Sequence, residues 1–382
     1  MPDFPLKLAE LLDVKIEKLS FGGSGIARHA GVVIFVPFAA PGDHLQIKIT
    51  QIKKRHAEAE IQKILSPGPD RSQPPCSVYG HCGGCNWQHL TYESQLRFKQ
   101  EIVMDFLKKF ISAESRVLPI VPSPQPLHYR HRSQLKFKDG KLGFFKKNSH
   151  EIVDIDRCWI VEESLSKQIP QMKKDLQQKN AALAEPLTIE LTPPNGSDGF
   201  SQVNRFQNEN LVTATITALT KNPLGSDATF YDLYAGSGNF TFPLIDKAGK
   251  SRVIGVEMHA GAAKMAQGRL RRMGLSPKAA EFYNSDVGLF LRRFPVKESD
   301  AVLLDPPRMG CSEEVIALLA KASPQSIVYI SCDPAALARD LERLWRDSGE
   351  KYRLEQVQCF DMFPQTHHVE TLVEIRREPN RN

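Results

Sequence analysis

Asp232-Leu233-Tyr234-Ala235-Gly236-Ser237-Gly238-Asn239 is the stretch on which the reading of this 382-residue chain turns. It begins inside a short apolar strand, Thr229 to Leu233, and leads into a helical stretch. Gly236 and Gly238 let the backbone turn tightly and come close to a nucleotide-like ligand at the strand's carboxyl end. A dehydrogenase would carry a third glycine where Thr241 stands, which disfavours NAD. Outward from this loop, Arg252 to Val256, Ala301 to Leu304 and Ile327 to Ile330 read as further short strands separated by helical stretches. That alternation predicts a doubly wound, Rossmann-like parallel sheet in an α/β domain.

Three segments close those strands on what would be the ligand-binding rim. Glu257 ends the second strand, where an acid accepts hydrogen bonds from both hydroxyls of a ribose, and Asp286 in Asn284-Ser285-Asp286 is an expected adenine neighbour. This pair suits S-adenosylmethionine better than a dinucleotide. Asp305-Pro306-Pro307-Arg308 ends the third strand; amine methyltransferases follow a similar Pro-Pro turn with an aromatic residue, so Arg308 weighs against exocyclic amine methylation. Ser331-Cys332-Asp333-Pro334 ends the fourth. Most lone cysteines are inert core residues, but one just past a strand end beside a methyl-donor site has the exposure that a nucleophile requires.

Toward the N-terminus, Val14 to Glu17, Val32 to Val36 and Leu45 to Ile49 read as strands divided by turn formers, and Leu45-Gln46-Ile47-Lys48-Ile49 alternates strictly, as a strand with one buried face does. Five short strands in so little chain predict a small OB-type β-barrel, a fold that often binds oligonucleotides. Phe21-Gly22-Gly23-Ser24-Gly25-Ile26-Ala27 and Pro41-Gly42-Asp43 resemble the TRAM domain of RNA-modifying enzymes. Helix breakers in Ser66-Pro67-Gly68-Pro69-Asp70 and Gln73-Pro74-Pro75, and again in Pro193-Pro194-Asn195-Gly196-Ser197, divide the chain into three expected domains, 1–70, 71–195 and 196–382. Tyr92 to Phe110 has a helical pattern, and Tyr129 to Ile155 is strand-like.

Composition narrows the classes. With 41% hydrophobic and 25% charged residues, the chain is neither disordered nor fibrous. Its longest apolar run, Val32 to Ala40, contains Pro37 and falls far short of the ~20 residues of a membrane helix. Met1-Pro2-Asp3-Phe4 lacks the basic start of a secretory signal, so a cytoplasmic protein without membrane contact is expected. There thiols stay reduced, and seven cysteines argue for metal binding or nucleophilic chemistry. Cys76, Cys82 and Cys85, with the remote Cys158, supply four soft ligands. Zinc is possible, although zinc sites more often pair two Cys-x2-Cys knuckles; three clustered cysteines and one remote one suit a 4Fe-4S cluster better.

Charge is concentrated too. Arg130, Arg132, Lys136, Lys138, Lys141, Lys146 and Lys147 face Asp139 alone, so the segment between His128 and His150 equals the whole chain's net +6. Tyr129, Phe137, Phe144 and Phe145 are interleaved with these cations. Cations neutralise phosphates and aromatic faces stack on unpaired bases, so polyanion binding is the leading reading and a solvated loop the alternative.

Tyr234 in its glycine loop, Asp305-Pro306-Pro307-Arg308, Ser331-Cys332-Asp333-Pro334 and His367-His368-Val369-Glu370 together resemble the motif set of the RNA uracil-5-methyltransferases, which make 5-methyluridine. The resemblance runs along the whole chain. It implies that Gln202 of Phe200-Ser201-Gln202-Val203-Asn204 lines the S-adenosylmethionine pocket with Tyr234, Gly236, Glu257 and Asp305. Cys332 would be the nucleophile and Glu370 the base. Uracil carbon 5 is a poor nucleophile until a thiolate adds to carbon 6, and the hydrogen left on carbon 5 must then be removed by a positioned base. Asp333 departs from the Asn found in many members. The resemblance further implies a central α+β domain that carries the iron-sulfur site in a structural role. It favours 23S ribosomal RNA over transfer RNA as substrate, and the enzyme is expected to act as a monomer.

Overall fold

The computed structural model describes residues 5–179, 185–193, 202–222, 224–225 and 227–378. Of the expected break at Pro193 to Ser197, all but Pro193 lies outside the described residues, as do Phe200 and Ser201. The chain forms two units, one of residues 1–102, 124–196 and 363–367, the other of 103–123, 197–362 and 368–382.

The first unit opens with β1 (Leu11–Lys15), β2 (Lys18–Leu19), β3 (Gly25–His29), β4 (Val32–Val36), β5 (His44–Ile52) and β6 (His56–Ser66). They form one sheet in the order β1-β5-β6-β4-β3-β2. Alternation sends Ile34 and Val36 from β4, and Leu45, Ile47 and Ile49 from β5, into a core shared with Val14, Ile16 and Ala27. In β6 the inward residues are Ala57 and Ala59. Two alanines between charged neighbours make a weak apolar signal, which is why the longest strand of this sheet is the least visible in the sequence.

Asp43 explains the Pro41-Gly42-Asp43 turn. Its side chain is fully buried, accepts hydrogen bonds from the N–H groups of Ala40 (2.7 Å) and Gly68 (2.8 Å), and pairs with Arg71 at 2.5 Å. Burial alone would raise this carboxyl; Arg71 and the two N–H groups outweigh it and hold Asp43 below the usual carboxylate range. The turn and the proline-rich linker are thus pinned by one charge. Asp43→Ala would strand Arg71 and two donors, so a loss of about 3–5 kcal/mol is expected from equilibrium denaturation. A loss under about 1 kcal/mol would show the pair to be dispensable.

After α1 (Tyr92–Leu107) comes β7 (Arg116–Val117), which pairs within the second unit. The remainder of the first unit holds β8 (Ser133–Lys138), β9 (Lys141–Phe145), β10 (Ile152–Asp154), α2 (Glu163–Ser166), α3 (Ile169–Lys179) and β11 (Leu187–Leu191). These strands form an antiparallel sheet in the order β10-β9-β8-β11. Leu135, Phe137 and Leu142 pack with Tyr129, Ile160 and Val161 under it. Gly143 is required where the strands close up, since a Cβ there would lie 1.9 Å from the Val153 carbonyl oxygen.

The second unit continues with α4 (Arg205–Thr220), β12 (Thr229–Leu233), α5 (Thr241–Lys247), β13 (Arg252–Glu257), α6 (Ala260–Arg272), β14 (Ala280–Asn284), α7 (Val287–Arg293) and β15 (Ala301–Leu304). It ends with α8 (Glu313–Ala322), β16 (Ser326–Ser331), α9 (Pro334–Ser348), β17 (Tyr352–Phe360) and β18 (Glu370–Arg377). Its sheet runs β14-β13-β12-β15-β16-β18-β17-β7. The four apolar strands expected from the sequence are β12, β13, β15 and β16, and their pairings are parallel. The sheet as a whole is mixed, however, and not purely parallel: β18 lies antiparallel between β16 and β17. A short connection without a helix turns β17 back into β18 as a hairpin. Charge hid β18 from an apolar-run reading. Glu374 is fully buried within it, held by Lys221 (2.7 Å) and Arg376 (2.9 Å). Among the described residues no helix is long and apolar enough to cross a membrane.

Candidate functional site

Strand register assembles the site. Leu233 on β12 pairs with Val256 on β13 and with Leu304 on β15, so the residues that follow share one edge of the sheet. Strand order reverses between β12 and β15, and such a switch point opens a crevice at the carboxyl ends. On one side of it stand Tyr234, Gly236 and Glu257. On the other, Ser331 of β16 pairs antiparallel with Thr371 of β18, so the next register position sets Cys332 beside Glu370. Asp305 follows the neighbouring strand β15. The hairpin that the sequence did not reveal is therefore what brings the two motif residues together.

The glycine-loop side is held by backbone. The N–H groups of Gly236 (2.9 Å) and His259 (2.6 Å) donate to the two oxygens of Glu257, fixing its carboxylate at the end of β13. Asn284 donates to the carbonyls of Glu257 and Met258, both at 2.9 Å. Tyr234 has φ +68°, a left-handed conformation unusual for a bulky residue. Its phenol is pushed well above the usual range by burial and by Cys311. Asp286 is exposed and caps α7 through the Leu289 N–H (3.0 Å), so a structural role accompanies its expected contact with adenine. Gln202 is half-buried just before Asn204, the N-cap of α4. From that helix Asn208 makes a reciprocal pair of 3.0 Å hydrogen bonds with Asn239 of the glycine loop. His259, Asn284 and the Asn208–Asn239 pair are supports that sequence reading missed, although Asn239 and Asn284 lay within recognised motifs.

The reactive side is crowded with titratable groups. Glu370 is pushed up to about 8 by burial and by Asp305, against the opposing Arg308. Asp305 is raised to about 7 by burial and by Asp232. Burial, Glu370 and Asp305 raise the Cys332 thiol to about 12, with Arg308 pulling the other way. A base near 8 suits proton abstraction at neutral pH. Arg308, exposed on its turn, is the chain's own cation beside the thiol, a role not assigned to it from the sequence. Asp333 caps α9, accepting from the N–H groups of Ala335 and Ala336 at 2.9 Å, so its carboxylate is engaged along the helix rather than with the thiol.

Glu370 carries a pH signature. Because its folded value lies above the ordinary 4.5, the folded state holds this proton more tightly than the unfolded chain does. The stability it lends is complete below about pH 4.5 and is lost as pH rises to about 8. Glu370→Gln removes that titration, so the variant's melting temperature should gain on the wild type between about pH 5 and about pH 8. Parallel curves across this window would show that the carboxyl is not held protonated.

In the first unit, Cys76, Cys82, Cys85 and Cys158 line one small cavity with Gln88, Arg130 and Trp159. Burial raises the Cys82 thiol to about 11 and that of Cys85 to about 12, and the sulfurs influence one another. Arg130 lines the same cavity; against the opposing effect of burial, Tyr129, Cys85 and Cys158 raise its basicity, and its Nε is buried without a hydrogen-bond partner. Lys136 and Lys138 point away from the core face of β8, and Lys136 lies 5.7 Å from the centre of the Phe145 ring. Lys146 and Lys147 are exposed and Arg132 is half-buried. Of the four interleaved aromatics, Tyr129 and Phe137 are core, whereas Phe144 and Phe145 are partly exposed.

Known proteins resemble this chain over nearly its whole length. A TRAM domain profile matches residues 6–61, and a profile described as tRNA (Uracil-5-)-methyltransferase matches residues 278–378. The chain is 45% identical to an uncharacterized RNA methyltransferase of Bdellovibrio bacteriovorus, over 97% of its own length and 96% of the relative's. It is 31% identical to the 23S rRNA (uracil(1939)-C(5))-methyltransferase of Shewanella sediminis, over 97% of each. In structure it resembles the tRNA (uracil-54, C5)-methyltransferase of Pyrococcus abyssi, solved with S-adenosyl-L-homocysteine, at a TM-score of 0.70 and 23% identity, covering 95% of this chain and all of that one. Fold and site thus define an S-adenosylmethionine-dependent RNA methyltransferase. More narrowly, the chain belongs to the RNA uracil-5-methyltransferase family.

Proposed function

We propose that this enzyme methylates carbon 5 of one uridine in 23S ribosomal RNA through a covalent adduct on Cys332, with Glu370 as the base. The observation that carries the mechanism is the pairing of Ser331 with Thr371, which sets the thiol beside the carboxyl. The Cys332 thiolate forms a bond to carbon 6, and the electrons of the 5,6 double bond move toward oxygen 4 as an enolate. S-adenosylmethionine, bound by Gln202, Tyr234, Gly236, Glu257, Asp286 and Asp305, supplies an electrophilic sulfonium methyl group to carbon 5. Glu370 takes the carbon 5 proton, the double bond re-forms and the carbon–sulfur bond breaks, returning the thiolate. Arg308 assists thiolate formation, since it opposes the carboxylates that raise the thiol. The ribosomal target rests on the Shewanella relative at 31% identity over 97% of each chain.

A structural 4Fe-4S cluster held by Cys76, Cys82, Cys85 and Cys158 is part of the same proposal. The four thiols line one cavity, and Arg130 provides a buried cation beside the negative charge that four thiolates would bring. Among the described residues no group of three or more His, Cys, Asp or Glu side chains is already placed to hold a metal ion, so the proposal rests on the shared cavity and on Arg130. The four cysteines come from both ends of the segment, so the cluster would staple the basic sheet to the loop of Cys76 to Cys85.

Substrate choice is tested with unmodified 23S ribosomal RNA and transfer RNA transcripts, the purified enzyme and labelled methyl donor, followed by mapping of 5-methyluridine. Label confined to one uridine of the ribosomal RNA is expected. Methylation of transfer RNA alone would overturn that target and leave the chemistry standing.

A further inference from the structure

Three half-exposed phenylalanines of the N-terminal sheet open onto one groove. Phe21 lies between β2 and β3, Phe35 on the outer side of β4, and Phe38 in the turn after it; all three line a cavity of about 580 Å³ with Gly80, His81, Lys146, Lys147 and Asn148. That volume lies within the range of small-ligand pockets. Each ring is braced edge-on against a neighbour: Phe21 on His367 (5.9 Å), Phe35 on His56 (5.2 Å) and Phe38 on Tyr79 (5.4 Å). Phe38 holds φ +62°, a left-handed conformation kept in place by Arg71, which donates to its carbonyl at 2.9 Å. A bulky residue in this region costs of order 1 kcal/mol or more, and such strain clusters at binding sites. The opposite wall is equally fixed. The Gly83 N–H donates to the Phe145 carbonyl at 3.0 Å, so the cysteine loop lies directly against the β9–β10 turn that carries both lysines.

We infer that this groove binds a single unpaired nucleotide of the RNA substrate, its base stacked among Phe21, Phe35 and Phe38 and its phosphate neutralised by Lys146 and Lys147. This rests on the reading that the substrate is RNA, and adds where an unpaired base is held away from the methylated one. Aromatic faces beside cations suit a base and its phosphate, and Glu58 is the one carboxylate among the lining residues. Because Ile34 and Val36 face the core and Phe35 does not, Phe35 can be changed without touching the packing of β4.

The test uses the full-length protein and fluorescent single-stranded RNA oligonucleotides, with affinity measured across a salt series. Phe35→Ala should weaken binding about tenfold and leave the salt slope unchanged, as loss of one stacked base does. A variant carrying Lys146→Ala and Lys147→Ala should lower the slope by about 1.4, the effect of two lost single-strand phosphate contacts. Independently of any variant, 5-iodouridine RNA irradiated with the wild-type protein should cross-link to peptides containing Phe21, Phe35 or Phe38. Wild-type affinity and slope in both variants, or cross-links only elsewhere, overturn the groove while RNA binding stands. If the wild type binds no RNA at all, the reading beneath it falls as well.

Discussion

Replacing Cys332 with alanine should lower turnover by about four orders of magnitude or more, because the proposed mechanism makes its thiolate the group that adds to carbon 6. Cys311 and Cys359 are buried in the core of the second unit and cannot substitute. Glu370→Gln should fail at a different step. The amide leaves the Cys332 thiol and the methyl-donor pocket in place, so addition and methyl transfer proceed. It cannot accept the carbon 5 proton, so elimination stalls and a methylated protein–RNA adduct accumulates that survives a denaturing gel. Near wild-type turnover of Cys332→Ala would remove the nucleophile; normal turnover of Glu370→Gln without an adduct would move the base elsewhere.

Purified without oxygen, the protein should be brown and hold about four irons per chain. Cys158→Ala should lose both colour and iron. It should also destabilise the first unit by several kcal/mol, as removal of a structural metal site from a domain does. The second unit supplies none of the four cysteines, so binding of S-adenosylhomocysteine should persist in this variant. A colourless wild type with one zinc per chain would replace the cluster by a zinc site and leave the stapling role intact.

What the sequence disclosed and what it hid follow from packing. Ala301–Leu304 is buried throughout and reads as an unbroken apolar run, and Phe230–Leu233 is buried too and interrupted only by Asp232, so the glycine loop and the Asp305 turn could be set at strand ends by inspection. The TRAM-like turn was legible because Asp43 must be an acid to collect two N–H groups and Arg71. β18 was not legible, since Glu374 and Arg376 sit inside it and their compensation by Lys221 comes from a helix far away in sequence. The closeness of Cys332 and Glu370 could be taken only from motif resemblance; the register between β16 and β18 supplies its physical reason. Arg130, counted with its charged neighbours as an expected phosphate contact, also lines the cysteine cavity, which its place in the sequence could not disclose.

Tritium release tests the central claim most directly. RNA carrying tritium at carbon 5 of its uridines is incubated with the enzyme and S-adenosylmethionine, and tritium in water is counted against methyl groups incorporated. One tritium released per methyl group is predicted for the wild type. Methyl incorporation without tritium release from the wild type would mean that the methyl group goes to another atom, and would contradict the account.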